Sequence, residues 1–104
     1  MEVYPGQMVF SKAGRDKGKA FIVVKNADEK YLYIADGDLR RMDNPKKKKI
    51  KHLEITEHKS DFIADKMKHS HKITNADMRK CISILIDEMD KDKESHLVEA
   101  KKEG

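Results

Sequence analysis

The chain has little cysteine and few aromatic residues, and each shortage excludes a class of protein. Its one cysteine, Cys81, cannot form an internal disulfide, whereas small secreted domains usually contain several. With three Tyr, three Phe, no Trp and 38% hydrophobic residues in 104, the apolar side chains fill one compact core. We therefore expect a small cytoplasmic protein, without the size of a multidomain enzyme or a large substrate cavity.

Long apolar stretches are also lacking. No run of 18 apolar residues occurs in the sequence, and the N-terminal segment 1–6 is neither basic nor apolar enough to resemble a signal peptide. We expect no membrane partner and no export.

Glycine and proline are confined almost entirely to the first half. Pro5-Gly6, Gly14, Gly18, Asp36-Gly37 and Asn44-Pro45 interrupt it, and after them no Gly or Pro occurs until Gly104. This change in composition divides the chain into three parts. We predict a β domain at 1–57, a helical hairpin at 58–91, and a charged tail at 92–104 that frays.

Short apolar and β-branched segments between the turns of the first half are typical of strands. The predicted strands are Met8–Phe10, Ala20–Val24, Tyr31–Ile34, Leu39–Met42 and about Ile50–Ile55, with Ile50, Leu53 and Ile55 as core candidates in the last. Because an open sheet this small leaves its edges exposed, five short strands favour a closed, SH3-like barrel. The expected fold is mainly β, with a C-terminal two-helix extension.

The second half has helical periodicity. Ser60 is a suitable cap for a helix at 61–68, and Thr74 to Asp77 forms a near capping box for a helix at 75–91. That second helix carries its apolar residues on one stripe: Met78, Cys81, Ile82, Leu85, Ile86 and Met89. We expect the two helices to dock this apolar face on the barrel or on each other.

Positive charge is concentrated in the first half. The formal net charge is +4; residues 1–59 hold 14 Lys+Arg and 9 Asp+Glu, whereas residues 60–104 hold 9 and 10. The candidate nucleic-acid-binding residues are Lys12, Arg15, Lys17 and Lys19 in or beside the first loop, Arg40 and Arg41 in the fourth strand, the loop residues Lys46, Lys47, Lys48 and Lys49, and Lys51 with His52. Since hairpin loops of a small barrel cluster at its ends, we expect these side chains to converge on one phosphate-binding face.

These residues also allow other interpretations. A lysine run alone is most often a solvated loop, and Tyr31 and Tyr33, which share a strand face, suit a packed barrel surface better than base stacking. The segment from Gly14 to Lys19 is one residue too short for a phosphate-binding P-loop and is not followed by Ser or Thr. Neither His69, His71 and Cys81 nor the acidic residues after Asp90 have the spacing of a zinc or calcium site. We predict no metal, no cofactor and no catalytic residues.

The segment Gly6 to Val24, GQMVFSKAGRDKGKAFIVV, resembles the KOW motif, in which a strand is followed by a glycine-containing loop and a second strand. With the Asp36-Gly37 turn and the stretch PKKKKIKHL at 45–53, the resemblance covers residues 4–56. It is closest to short bacterial KOW-domain proteins related to large-subunit ribosomal proteins. The resemblance implies an SH3-like barrel that contacts structured RNA, commonly ribosomal RNA.

These observations predict a non-catalytic RNA-binding protein that is associated with the ribosome and acts in translation. The expected partners are RNA, first of all ribosomal RNA, and ribosomal proteins. Two alternatives stay open. KOW domains also occur in transcription elongation factors, and the amphipathic helices could instead form a protein interaction module supported by the barrel.

Overall fold

A computed structural model describes the backbone of residues 3–103 and the side chains of residues 3–91. It contains a five-stranded antiparallel sheet, a short 3-10 turn and two helices. The elements are β1 Gln7–Ser11, β2 Ala20–Asn26, β3 Tyr31–Ala35, β4 Lys46–Lys49, the 3-10 turn Ile50–His52, β5 Leu53–Lys59, α1 Asp61–Lys68 and α2 Asn75–Glu103. The strand order across the sheet is β4-β3-β2-β1-β5.

The sheet is not closed within the described part of the chain. Strands β4 and β5 lie at its two edges, and no ladder joins them. The predicted number of strands is confirmed, but closure into a barrel is not seen. A closed barrel would have no exposed strand edge. In this open sheet the edge strand β4 consists of four lysines, and charged edge strands resist pairing with another chain.

The predicted strand at Leu39–Met42 is wrong, and so is the placement of the lysine run in a loop. The Asp36 carboxylate accepts hydrogen bonds from the backbone N–H groups of Asp38 (3.0 Å) and Arg40 (2.8 Å), which folds this segment into a compact loop. The Met42 N–H donates to the Asn75 side chain instead of to a strand. Because residues 39–42 do not pair with β3, that edge of β3 is free to pair with the lysine run. Tyr31 lies opposite Lys49, and Ile34 lies opposite Lys46.

Both faces of the central strands are buried. On the first face, side chains of β1, β2, β3 and β5 form one core, made of Val9, Phe21, Val23, Leu32, Ile34 and Leu53 together with Val3. On the second face, Met8, Ile22 and Ala35 pack against Ile63, Met78, Cys81 and Leu85 of the helices. The predicted docking of the helical hairpin on the sheet is confirmed.

Most of the predicted apolar positions pack as expected. Leu53 is buried, and Ile50 and Ile55 lie partly buried against the first core. On α2 the stripe is buried or half-buried, except that Ile86 is exposed. Ile86 lies at the margin of the stripe, and its side chain is 36% exposed.

Both predicted helix starts are confirmed. The Ser60 hydroxyl accepts a hydrogen bond from the Ile63 N–H, at 3.2 Å. At α2, the Thr74 hydroxyl accepts from the Asp77 N–H and the Asp77 carboxylate accepts from the Thr74 N–H, both at 3.0 Å, so the capping box is complete with Asp. The predicted helix end at 91 is wrong, because the backbone of α2 continues to Glu103 through most of the segment 92–104 that was expected to fray. The side chains of that segment lie outside the described residues.

The contact between the 36–40 loop and α2 allows a test of how tightly the sheet and helices are joined. Gly37 and Gly18 both have positive φ, +79° and +86°, but a Cβ on Gly37 would lie 2.2 Å from the Asn75 carbonyl oxygen while one on Gly18 would meet nothing within 4 Å. We expect Gly18→Ala to cost about 1–2 kcal/mol of unfolding free energy from backbone strain alone. Gly37→Ala should cost about 1–3 kcal/mol more, because the helix must shift. Urea denaturation measures both, and equal losses would contradict the close loop-helix packing.

The capping carboxylate of α2 predicts a pH dependence. The hydrogen bond from the Thr74 N–H, followed by the contact with Lys66, lowers the pKa of Asp77. A lowered folded pKa means that this carboxylate stabilises the fold above its unfolded pKa, about 3.9, and that the contribution is lost as pH falls through the lowered value. Asp77→Asn should therefore lower the melting temperature at pH 7, and the difference from wild type should shrink at pH 3. Thermal melts followed by circular dichroism test this, with the exposed mid-helix Asp87→Asn as control; a difference that is constant with pH would refute it.

Candidate nucleic-acid interface

The β1–β2 loop presents four cationic side chains to solvent: Lys12, Arg15, Lys17 and Lys19. Its shape is fixed by local bonds, since the Gly18 N–H donates to the Ser11 carbonyl at 2.8 Å and the Ser11 hydroxyl donates to the Ala13 carbonyl at 2.9 Å. Gly14 and Gly18 supply the positive φ angles that so tight a loop requires. The cations are thus carried on an ordered, compact loop.

The carboxylate of this loop is neutralised internally. Asp16 is buried, and its Oδ2 accepts hydrogen bonds from Arg40 Nη2 at 3.0 Å and Nε at 3.3 Å. The predicted site residue Arg40 lies in the β3–β4 loop instead of a strand, and its guanidinium is engaged in this ion pair. The pair therefore joins two loops and removes the negative charge of Asp16 from the surface.

Strand β4 distributes its lysines over both faces of the sheet. Because opposite residues of an antiparallel pair share a face, Lys46 and Lys48 lie on the side of Ile34 and Leu32, the first core. From there Lys48 Nζ reaches the β1–β2 loop and donates to the Ala13 carbonyl at 3.1 Å. Lys47 and Lys49 lie on the opposite face, so the single basic face predicted from the sequence is divided into two.

The remaining candidates lie around the same loops. The Lys12 N–H donates to the His52 carbonyl at 2.8 Å, which places the 3-10 turn, with exposed Lys51 and half-buried His52, beside the start of the β1–β2 loop. Arg41 follows Arg40 and is exposed in the β3–β4 loop. The structure therefore places the β1–β2 loop next to β4 and the 3-10 turn, although the lysines of β4 lie on two faces of the sheet.

We call one of the two resulting basic regions the loop surface: Lys12, Arg15, Lys17, Lys19 and Lys48. The segments 12–19 and 46–52, which these contacts join, contain nine Lys+Arg and a single acidic residue, Asp16. Since Asp16 is paired with Arg40, the uncompensated charge of this region is positive. A cluster of exposed cations of this kind creates a positive electrostatic potential, which attracts polyanions in general.

The second region is the tyrosine face, formed by Tyr31, Tyr33, Lys25, Lys47 and Lys49. Lys25 Nζ lies 5.0 Å from the centroid of the Tyr33 ring, and Lys47 Nζ lies 5.0 Å from that of Tyr31. Both tyrosines are half-buried. They lie on the same face of β3 as Ala35, which the helices cover. The two rings thus lie beside the helix-covered area, in contact with lysine side chains.

Sequence reasoning missed Lys25 as a member of this face. A bulge between Val23 and Lys25 shifts the register of β2 against β3, so that Lys25 lies opposite Tyr33. Simple alternation along β2 does not reveal a bulge, and no Gly or Pro marks it. The only sequence feature that could have indicated this contact is a lysine at the end of β2 beside the two tyrosines of β3.

Among the described residues, His69, His71 and Cys81 are not arranged for metal binding or nucleophilic chemistry. Burial raises the pKa of the Cys81 thiol to about 11, so that it is protonated and a poor nucleophile or ligand at neutral pH. The rings of His69 and His71 lie 5.8 Å apart on an exposed turn, away from Cys81 in the second core. Among residues 3–91, no three His, Cys, Asp or Glu side chains are grouped as a metal site. In the same part of the chain, no helix is long and apolar enough to cross a bilayer.

Two comparisons with known proteins found no match. The chain matches no protein-family model, and a search of curated proteins finds no similar sequence. The functional interpretation therefore depends on the geometry of the loop surface and the tyrosine face.

Proposed function

We propose that this is a non-catalytic RNA-binding protein that docks on structured RNA through the loop surface and acts in translation as a ribosome-associated protein of the cytoplasm. One observation carries the proposal: the contact of Lys48 with Ala13, at 3.1 Å, joins the β1–β2 loop to the lysine strand. Two basic segments that are 27 residues apart in the sequence thereby form one surface. Ribosomal RNA is the first candidate ligand, and ribosomal proteins are candidate neighbours.

The chemistry of the loop surface suits a phosphate backbone. Lys12, Arg15, Lys17 and Lys19 are exposed on an ordered loop, so binding requires little further ordering of the backbone. Phosphate contacts position a protein without reading the base sequence, so recognition of a particular RNA depends on its shape and on its unpaired bases.

The resemblance to KOW domains supports the same proposal. The KOW-like segment of residues 6–24 folds as strand, glycine-containing loop and strand, with Gly14 and Gly18 at positive φ. The sheet also curves enough for Lys48 on one edge strand to reach the β1–β2 loop. We propose on this basis that the sheet is an SH3-like barrel of KOW type that lacks a closing ladder.

A specific observation also favours a second candidate, a protein interaction module. Between α1 and α2 lies a groove lined in part by Phe62 and Ile84, which are 55% and 48% exposed. Exposed apolar residues in a groove between helices are typical of partner-binding sites. Binding there would change little with salt, whereas binding of RNA to the loop surface weakens steeply.

Salt dependence provides the first test of the proposed function. With about five phosphate contacts on a duplex, the logarithm of the affinity should fall with the logarithm of salt concentration with a slope of roughly −4. Fluorescence anisotropy with a labelled RNA duplex, titrated from low to physiological salt, measures this slope. A slope near zero would contradict charge-driven docking.

Charge reversal at exposed positions locates the contact. We expect Arg15→Glu, Lys17→Glu and Lys19→Glu together to reduce the steepness of the salt slope by about 3, because each lost phosphate contact removes about one unit. The matched control reverses Lys68, Lys72 and Lys80, which are equally exposed but lie in or between the helices. It changes the net charge by the same amount, yet its charges act only through a field screened within about 8 Å at physiological salt.

Anisotropy on the two triple variants, each first checked for native melting, decides between the surfaces. Equal effects would assign RNA attraction to the net charge of the whole chain. Sedimentation of tagged protein in lysate, with and without ribonuclease, then separates association with ribosomes from a role in transcription.

A further inference from the structure

The loop surface leaves the tyrosine face unused. We propose that Tyr31 and Tyr33 seat two nucleobases of an unpaired RNA strand that adjoins the structured RNA held by the loop surface. This inference depends on the proposed function and names its ligand more closely: a junction between a helix and a single strand. The carrying observation is that both rings share one half-buried face with three lysines and no carboxylate among the five side chains.

The spacing of the two rings selects an unpaired strand. Tyr31 and Tyr33 are two positions apart on β3, so their rings are about 7 Å apart along the strand. Successive nucleotides of a B-DNA strand rise only ~3.4 Å, and those of an A-form RNA strand rise no more than that. Consecutive bases seated on both rings must therefore be unstacked from each other, which a base-paired helix does not allow.

The lysines of the face are placed to hold the backbone of such a strand. The ammonium groups of Lys25 and Lys47 now lie over the rings, each 5.0 Å from a centroid. Stacking of a base on an aromatic ring is stronger than an exposed cation–π contact, so a base displaces the ammonium group. The released lysine remains beside the ring, within reach of the phosphate of the same nucleotide.

The face continues into a cleft at its Tyr31 end. Lys49 lies opposite Tyr31 in the β3–β4 pair, and the Ile50 N–H donates to the Lys30 carbonyl at 2.8 Å. Lys30, Lys49 and Lys51 line this cleft, together with Glu29 and Ile50. Three cations there extend the phosphate path beyond the second base.

Strand β4 connects this path to the loop surface. Lys48 points to the loop surface, while Lys47 and Lys49, its direct neighbours, lie on the tyrosine face. A strand leaving the loop surface need only cross the edge of the sheet, which is itself lined by lysine, to reach Tyr33 and Tyr31.

Two probes test the proposal on the full chain: a labelled single-stranded ten-residue oligouridylate and a blunt RNA duplex without unpaired bases. The double substitution Tyr31→Leu and Tyr33→Leu should lower affinity for the oligouridylate on the order of 100-fold. Affinity for the duplex should stay within about twofold, because the loop surface is intact. Tyr31→Phe with Tyr33→Phe keeps both rings and should retain oligouridylate affinity. The retained duplex affinity of the leucine variant shows that this variant is folded.

The matched control is Phe62→Leu. Phe62 is an exposed aromatic residue with Lys66 Nζ 4.8 Å from its ring centroid, so its surroundings imitate the tyrosine face, but it lies on α1. This substitution should leave both affinities unchanged. If it lowers oligouridylate affinity as much as the tyrosine substitutions do, aromatic rings bind the strand without regard to position, and the proposed site is refuted.

Intrinsic fluorescence gives an independent readout. The chain has three tyrosines and no tryptophan, so two of its three emitting residues belong to the tyrosine face. Oligouridylate should quench most of the tyrosine emission, after correction for absorption, and the duplex should not. Absence of quenching at saturating oligouridylate would overturn the inference.

The outcomes separate this inference from the proposed function. Duplex binding with oligouridylate affinity that is indifferent to Tyr31 and Tyr33 refutes the tyrosine site alone. If the wild-type chain binds neither the oligouridylate nor the duplex, the proposed function is refuted, and this inference is refuted with it.

Discussion

The burial of apolar side chains on both faces of β1, β2 and β3 is the constraint on which the rest of the structure depends. One face forms a core with β5, and the other would expose Met8, Ile22 and Ala35 without the helices. The hairpin of α1 and α2 is therefore part of the same packed structure as the sheet. Because the helices cover only one end of the second face, the other end, with Tyr31 and Tyr33, remains accessible.

Local signals in the sequence predicted the elements that local interactions determine. Ser60 and the Thr74 to Asp77 box specify the two helix starts through bonds within four residues, and both were predicted. The three central strands follow β-branched and apolar segments and were found with ends within two residues of those expected.

Long-range competition explains what the sequence did not predict. The segment 39–42 has strand-like residues, but the Asp36 carboxylate and the Asn75 side chain take its backbone N–H groups. The lysine run has poor strand propensity and becomes a strand because β3 offers an open edge, where Lys47 packs over the Tyr31 ring. Likewise, the ion pair of Arg40 with Asp16 joins residues 24 positions apart, and nothing in the local sequence marks it.

The lysines of β4 occupy the edge of an open sheet, which couples solubility to charge. Four lysines on this edge strand disfavour pairing with the same strand of a second copy, because their charges repel. Acetylation of these amines, or their neutralisation by substitution, removes that protection together with the β4 cations of the two basic regions, Lys47, Lys48 and Lys49. Loss of charge at β4 therefore favours edge pairing in the same step that it lowers the positive charge of both regions.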